Sequence, residues 1–183
     1  MHPNILTSPD DYVFCSNYPQ PEFIVRLQSN KAFIPESFVV RSKETRVFNG
    51  VPIAAGLIFV ADNLEDLGNT KAFTRMTEKE INKWFQERYT GALKGVPALP
   101  CEPIAYFNLD EKLEISLDVS KVVTRPIKYV KFIPTAFRKK PINFSSKSFN
   151  ENQVECQFFG VNGYEVVANS QESDQWDQVA QRY

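Results

Sequence analysis

A chain of 183 residues is long enough for one domain with a real core, and it holds no run near ~18 apolar residues that would span a membrane. Lys and Arg number 21 against 22 Asp and Glu, for a net charge of −1 and a pI near 5.9, which disfavours a dedicated nucleic-acid binder. The one histidine, His2, leaves no material for a His-based triad in a rigid core or a multi-His metal site.

Other bulk features bound the setting. Cys15, Cys101 and Cys156 are odd in number and lack metal-type spacing, as expected of a reduced cytoplasmic or nuclear protein. Met1-His2-Pro3-Asn4 has no basic region followed by an apolar run, so no secretory leader is expected. Fifteen Phe, twelve Pro and seven Gly suit a sheet-rich core with many turns.

In chain order, residues 1–20 are polar and turn-rich, ending at Tyr18-Pro19-Gln20-Pro21. Glu22 to Leu27 reads as a strand with Phe23, Val25 and Leu27 on one face. Phe38 to Arg41 is a second strand, and Asn49-Gly50 is a turn signal. Ala55 to Ala61 is the most apolar run, short and β-branched enough for a buried strand. Thr77-Glu78-Lys79-Glu80 is a capping box, and Ile81, Trp84, Phe85 and Tyr89 follow at helical spacing, which predicts one helix over about 78–89. Gly91 and Gly95 end it, and a Pro-rich linker to Pro103 makes the helix an insertion between strands.

Strands resume at Ile104 to Leu109 and at Leu113 to Leu117, where Leu113, Ile115 and Leu117 are expected to face inward. Ile127 to Ile133 is a strand, Pro134 to Gln153 a long loop, and Val154 to Phe159 the last clear strand. Asn162-Gly163 is expected to turn into a short final strand, Tyr164 to Val167, before a polar tail or linker at 168–183. Seven or eight short strands with one helix predict an all-β fold: a jelly-roll β-sandwich in a single domain, residues 1–167.

Charge is unevenly distributed along this pattern. Lys121 to Lys147 holds eight of the basic residues and no Asp or Glu, leaving 13 cations against all 22 anions elsewhere. A surface built from Arg138, Lys139, Lys140 and Lys147, with Lys128 or Lys131 beside them, would pair with an acidic protein segment or peptide. Lys128 and Lys131 have odd separation, so a regular strand points them to opposite faces. Asp62, Glu65 and Asp66 follow the apolar strand but lack calcium-loop spacing, and no Gly-rich phosphate loop occurs. No metal or cofactor is expected.

The strand order resembles a known family. Phe14 to Leu27, with its Ser-x-x-Pro-Gln-Pro turn, resembles the opening of a DOC-type galactose-binding-like domain. Gly56 to Leu67 resembles that family's strand and Asn-Leu-Glu-Asp-Leu turn, and Tyr129 to Pro134 and Val154 to Gly160 resemble its two closing strands. Tyr12 and Phe14 stand where the family's Trp is expected, and the helix at 78–89 and the loop at 135–153 are additions. The resemblance implies a galactose-binding-like jelly roll without enzyme activity, serving as a substrate- or subunit-recognition module of a ubiquitin-ligase-type assembly. A carbohydrate-binding role is the alternative, with Tyr18, Arg46 and Asn49 as loop contributors.

Overall fold

The computed structural model describes residues 14–17, 22–26, 32–42, 51–68, 70, 72–94, 99, 101–109, 112–138 and 153–166. These form nine strands and one α-helix: β1 (Phe14–Asn17), β2 (Phe23–Arg26), β3 (Ala32–Arg41), β4 (Val51–Ala61), α1 (Glu78–Tyr89), β5 (Ala105–Asn108), β6 (Glu114–Asp118), β7 (Tyr129–Phe137), β8 (Gln153–Cys156) and β9 (Phe158–Val166). One sheet runs β1-β8-β4-β7-β2, with β5 pairing β4 along Ala55–Ile58; the other runs β6-β3-β9. Among the described residues all pairings are antiparallel except a two-residue parallel contact of β4 with β8 at Val51 and Pro52. The protein is an all-β sandwich, with one α-helix among the described residues.

β4 explains why its sequence alternates so little. Ile58 and Val60 belong to the core between the sheets. Leu57, Phe59 and Ala61 belong to a second apolar cluster with Leu67, Ile81 and Ile133 on the other face. Both faces of this strand are covered, so both carry apolar side chains. The helix is placed by that second cluster: Ile81 is fully buried there, with Phe85 and Met76 packed at its margin. Phe73, Trp84, Phe85 and Tyr89 extend it as edge-on and stacked rings 5.0–6.3 Å apart.

Between the sheets, phenylalanines form a column. Phe23 stacks on Phe132 at 5.3 Å, Phe132 on Phe159 at 5.3 Å, and Phe159 on Phe38 at 5.8 Å. The column therefore runs from β2 and β7 in one layer to β9 and β3 in the other, each contact adding about 0.5–1.5 kcal/mol beyond area burial. Gly56 makes room for it: a Cβ there would lie 2.5 Å from Phe132 and 2.8 Å from Phe107.

Several expectations are corrected. β1 lies within the stretch read as polar turns, and it pairs β8 from Phe14↔Cys156 to Asn17↔Gln153. β3 begins six residues before the expected strand, because a bulge between Pro35 and Ser37 absorbs a proline that interrupts the pattern. β7 continues past Pro134 to Phe137, into the stretch expected as loop, and residues 139–152 lie outside the described residues. Asn162-Gly163 is no turn: both lie inside β9, opposite Ser37 and Pro35. A Cβ at Gly163 would collide with the Ile34 carbonyl, so a glycine that looks like a turn signal marks a close backbone approach. Leu113 is exposed and precedes β6, while Ile115 and Leu117 are half-buried. The proposed tail, 168–183, lies outside the described residues. No helix among the described residues is long and apolar enough to cross a membrane.

Candidate functional site

Strand directions fix two ends of the sandwich. Ala61 pairs Tyr129 at one end, and Ile53 pairs Phe137 at the other. The connection from β6 to β7 closes the first end. There Val119 N donates to Glu36 O at 2.9 Å, Ile127 exchanges two backbone hydrogen bonds with Phe33, and Lys128 N donates to Ala61 O at 2.9 Å. Successive residues thus tie to opposite sheets, Ile127 to β3 and Lys128 to β4. Ile127 is fully buried, while Lys121, Arg125 and Lys128 are exposed.

The described cations of the basic segment therefore do not form one patch. Lys128 and Arg138 flank the nine residues of β7, which places them roughly 30 Å apart at strand rise. At the far end Arg138 is engaged structurally: its N donates to Pro52 O at 2.8 Å, and its guanidinium donates to the Lys112 carbonyl. Lys139, Lys140 and Lys147, and the carbohydrate candidates Tyr18, Arg46 and Asn49, lie outside the described residues.

Lys131 is removed from the candidate surface. It is 2% exposed, on the helix-side face of β7 with Tyr129 and Ile133. Its Nζ donates to Leu67 O at 3.1 Å and pairs with Glu22 Oε2 at 3.0 Å. A buried ammonium must be satisfied in this way, so the charge serves to join β7, the turn after β4 and the lead into β2. Strand parity separates it from Lys128, but only its partners explain why a lysine is tolerated inside.

The first end also carries a cleft of about 180 Å3. Its apolar wall is Val60, Leu99, Ile104, Val122 and Val123. Glu102, Thr124 and Arg125 complete the lining. Glu102 is held from inside: Oε2 accepts from Arg88 Nε at 3.0 Å and from Leu99 N at 2.9 Å. Arg88, only 4% exposed on α1, also donates to Leu93 O at 2.9 Å. Tyr89 OH donates to Pro103 O at 3.2 Å, and burial pushes its pKa up to about 12. The end of the helix thus fixes the segment that forms one wall of the cleft. Sequence reading missed this site because its residues come from β4 and two separate connections, and its carboxylate is positioned by a helical arginine fourteen residues earlier.

The remaining chemical candidates are internally occupied. Asn63 Oδ1 accepts from Asp66 N at 3.0 Å, and Asn63 Nδ2 donates to Asp66 Oδ2 at 2.7 Å and to Asp62 Oδ1 at 3.3 Å, closing the acidic turn on itself. Asp118 accepts from both Ser120 N and Ser120 Oγ, at 2.9 and 2.6 Å, and those bonds hold its pKa below the ordinary value. Cys156 is buried, and burial pushes its thiol up to about 12, a poor nucleophile at neutral pH. Among the described residues no three His, Cys, Asp or Glu side chains gather as a metal site. What the cleft offers chemically is apolar contact beside an exposed guanidinium.

No protein-family model matches the chain, and no curated protein matches it.

Proposed function

We propose that the chain is a non-catalytic recognition module for a protein partner or acidic peptide, engaged at the end of the sandwich closed by the connection that carries Lys121, Arg125 and Lys128. The observation that carries this reading is an apolar cleft lined by the exposed Arg125, on a connection that also carries exposed Lys121 and Lys128 and is tied to both sheets. Loops on a rigid sheet scaffold are the usual place for such recognition. Exposed cations at such a rim chiefly raise encounter rate and specificity. The resemblance to DOC-type domains supplies the rest of the proposal: a jelly-roll winding, and work within a ubiquitin-ligase-type assembly of the cytoplasm or nucleus.

The test is affinity isolation from cell extract with three baits: the native chain, Lys121→Glu/Arg125→Glu/Lys128→Glu, and Lys139→Glu/Lys140→Glu. The expected outcome is a partner set, including ubiquitin-ligase subunits, that the first variant loses and the second retains. Partners unaffected by the first variant contradict the reading.

A further inference from the structure

The cleft at this end has dimensions and charge that define an occupant more narrowly. Its volume of about 180 Å3 lies below the ~300–1,000 Å3 of small-molecule sites and suits a single aliphatic side chain. Two ionisable groups line it, and they are not equivalent. The Glu102 charge is answered from within by Arg88, an almost fully buried guanidinium, and by Leu99 N. Arg125 is exposed, and among the described residues it forms no ion pair. The charge left for an incoming group is therefore positive.

A second observation concerns Leu99. This side chain is 60% exposed on the rim, yet its backbone is fastened by the Arg88–Glu102 pair. An exposed leucine whose backbone is held by a partly buried ion pair is a fixed apolar contact, and a contact fixed before binding costs less ordering entropy when a partner arrives.

We infer that the cleft receives a short linear peptide in which a branched aliphatic residue stands beside an Asp or Glu. The aliphatic side chain packs between Leu99, Ile104 and Val122, and the carboxylate pairs with Arg125. This inference rests on the recognition reading above and specifies the ligand of that same site.

The experiment selects a phage library of random linear peptides on the full chain, on Leu99→Ala and on Arg125→Glu. Both substitutions change exposed side chains, and circular dichroism confirms the fold of each. Lys79→Glu, on the exposed face of α1, is the charge-matched control. The expected result is enrichment of an aliphatic residue adjacent to Asp or Glu. Fluorescence anisotropy on a selected peptide should then show at least about tenfold weaker binding to each cleft variant and no change for the control. Enriched peptides without the aliphatic–acidic pair, an affinity for Leu99→Ala or Arg125→Glu equal to that for the native chain, or no enrichment would each overturn the inference. Acidic peptides that both cleft variants retain but Lys121→Glu/Lys128→Glu loses would sink the cleft and leave the recognition reading standing.

Discussion

Lys131 and Glu22 show how burial decides what a charge does. The ammonium is enclosed at 2% exposure, whereas the Glu22 side chain keeps 33%. Removing the lysine leaves a carboxylate that water can reach, while removing the carboxylate strands a buried cation with one carbonyl partner. We expect Lys131→Met to unfold within about 1 kcal/mol of the native chain and Glu22→Ala to lose about 2 kcal/mol or more in urea titrations. Lys131→Met should also keep partner binding. Gly56→Ala acts by volume: its methyl enters space held by the Phe132 and Phe107 rings, and overpacking of this kind costs about 1–3 kcal/mol. A Gly56→Ala chain as stable as the native one would contradict the phenylalanine column. Tyr89 adds a pH dependence. Its folded pKa of about 12 exceeds the ordinary 10.0, so the stability it lends is whole below 10 and is lost as pH rises through 12. Over that window the native chain should lose melting temperature faster than Tyr89→Phe.

Element by element, legibility tracked how local the cause was. The helix was readable because Thr77 and Glu80 are three residues apart and cap each other: Glu80 N donates to Thr77 Oγ1 at 3.4 Å, and Thr77 N donates to Glu80 Oε2 at 2.7 Å. The hydrogen bonds to Thr77 hold the Glu80 pKa below its ordinary value. Thr77→Ala should cost about 1 kcal/mol in thermal or urea unfolding. β4 was readable by its apolar run, although periodicity could not say that a helix covers one face. β1 and the first half of β3 were not readable, since Ser16-Asn17 and Pro35 look like breakers until β8 and a bulge accommodate them. The cleft was invisible for a related reason. It joins Val60, Leu99 and Val123, which share no periodicity and meet only because β4, the segment before β5 and the segment before β7 arrive at one end.

At the scale of the whole molecule, β7 changes the meaning of the charge pattern. In sequence, Lys121 to Lys147 is one cationic block; in space, nine residues of strand separate its first cations from Arg138. Arg138 serves the fold by holding the Lys112 carbonyl, and Arg125 lines the cleft at the other end, on the connection that also carries Lys121 and Lys128, the surface proposed for recognition. The sandwich keeps that end rigid in two ways. Ile127 and Lys128 fasten its closing connection to both sheets, and Arg88 fastens its other wall to the helix.

Amide chemical-shift mapping of the full chain, titrated with a glutamate-rich peptide carrying one leucine, tests this arrangement most directly. The account predicts that the signals moving most belong to Glu102 to Ile104 and Lys121 to Lys128. Shifts that cluster instead around Lys112 and Arg138 would contradict it.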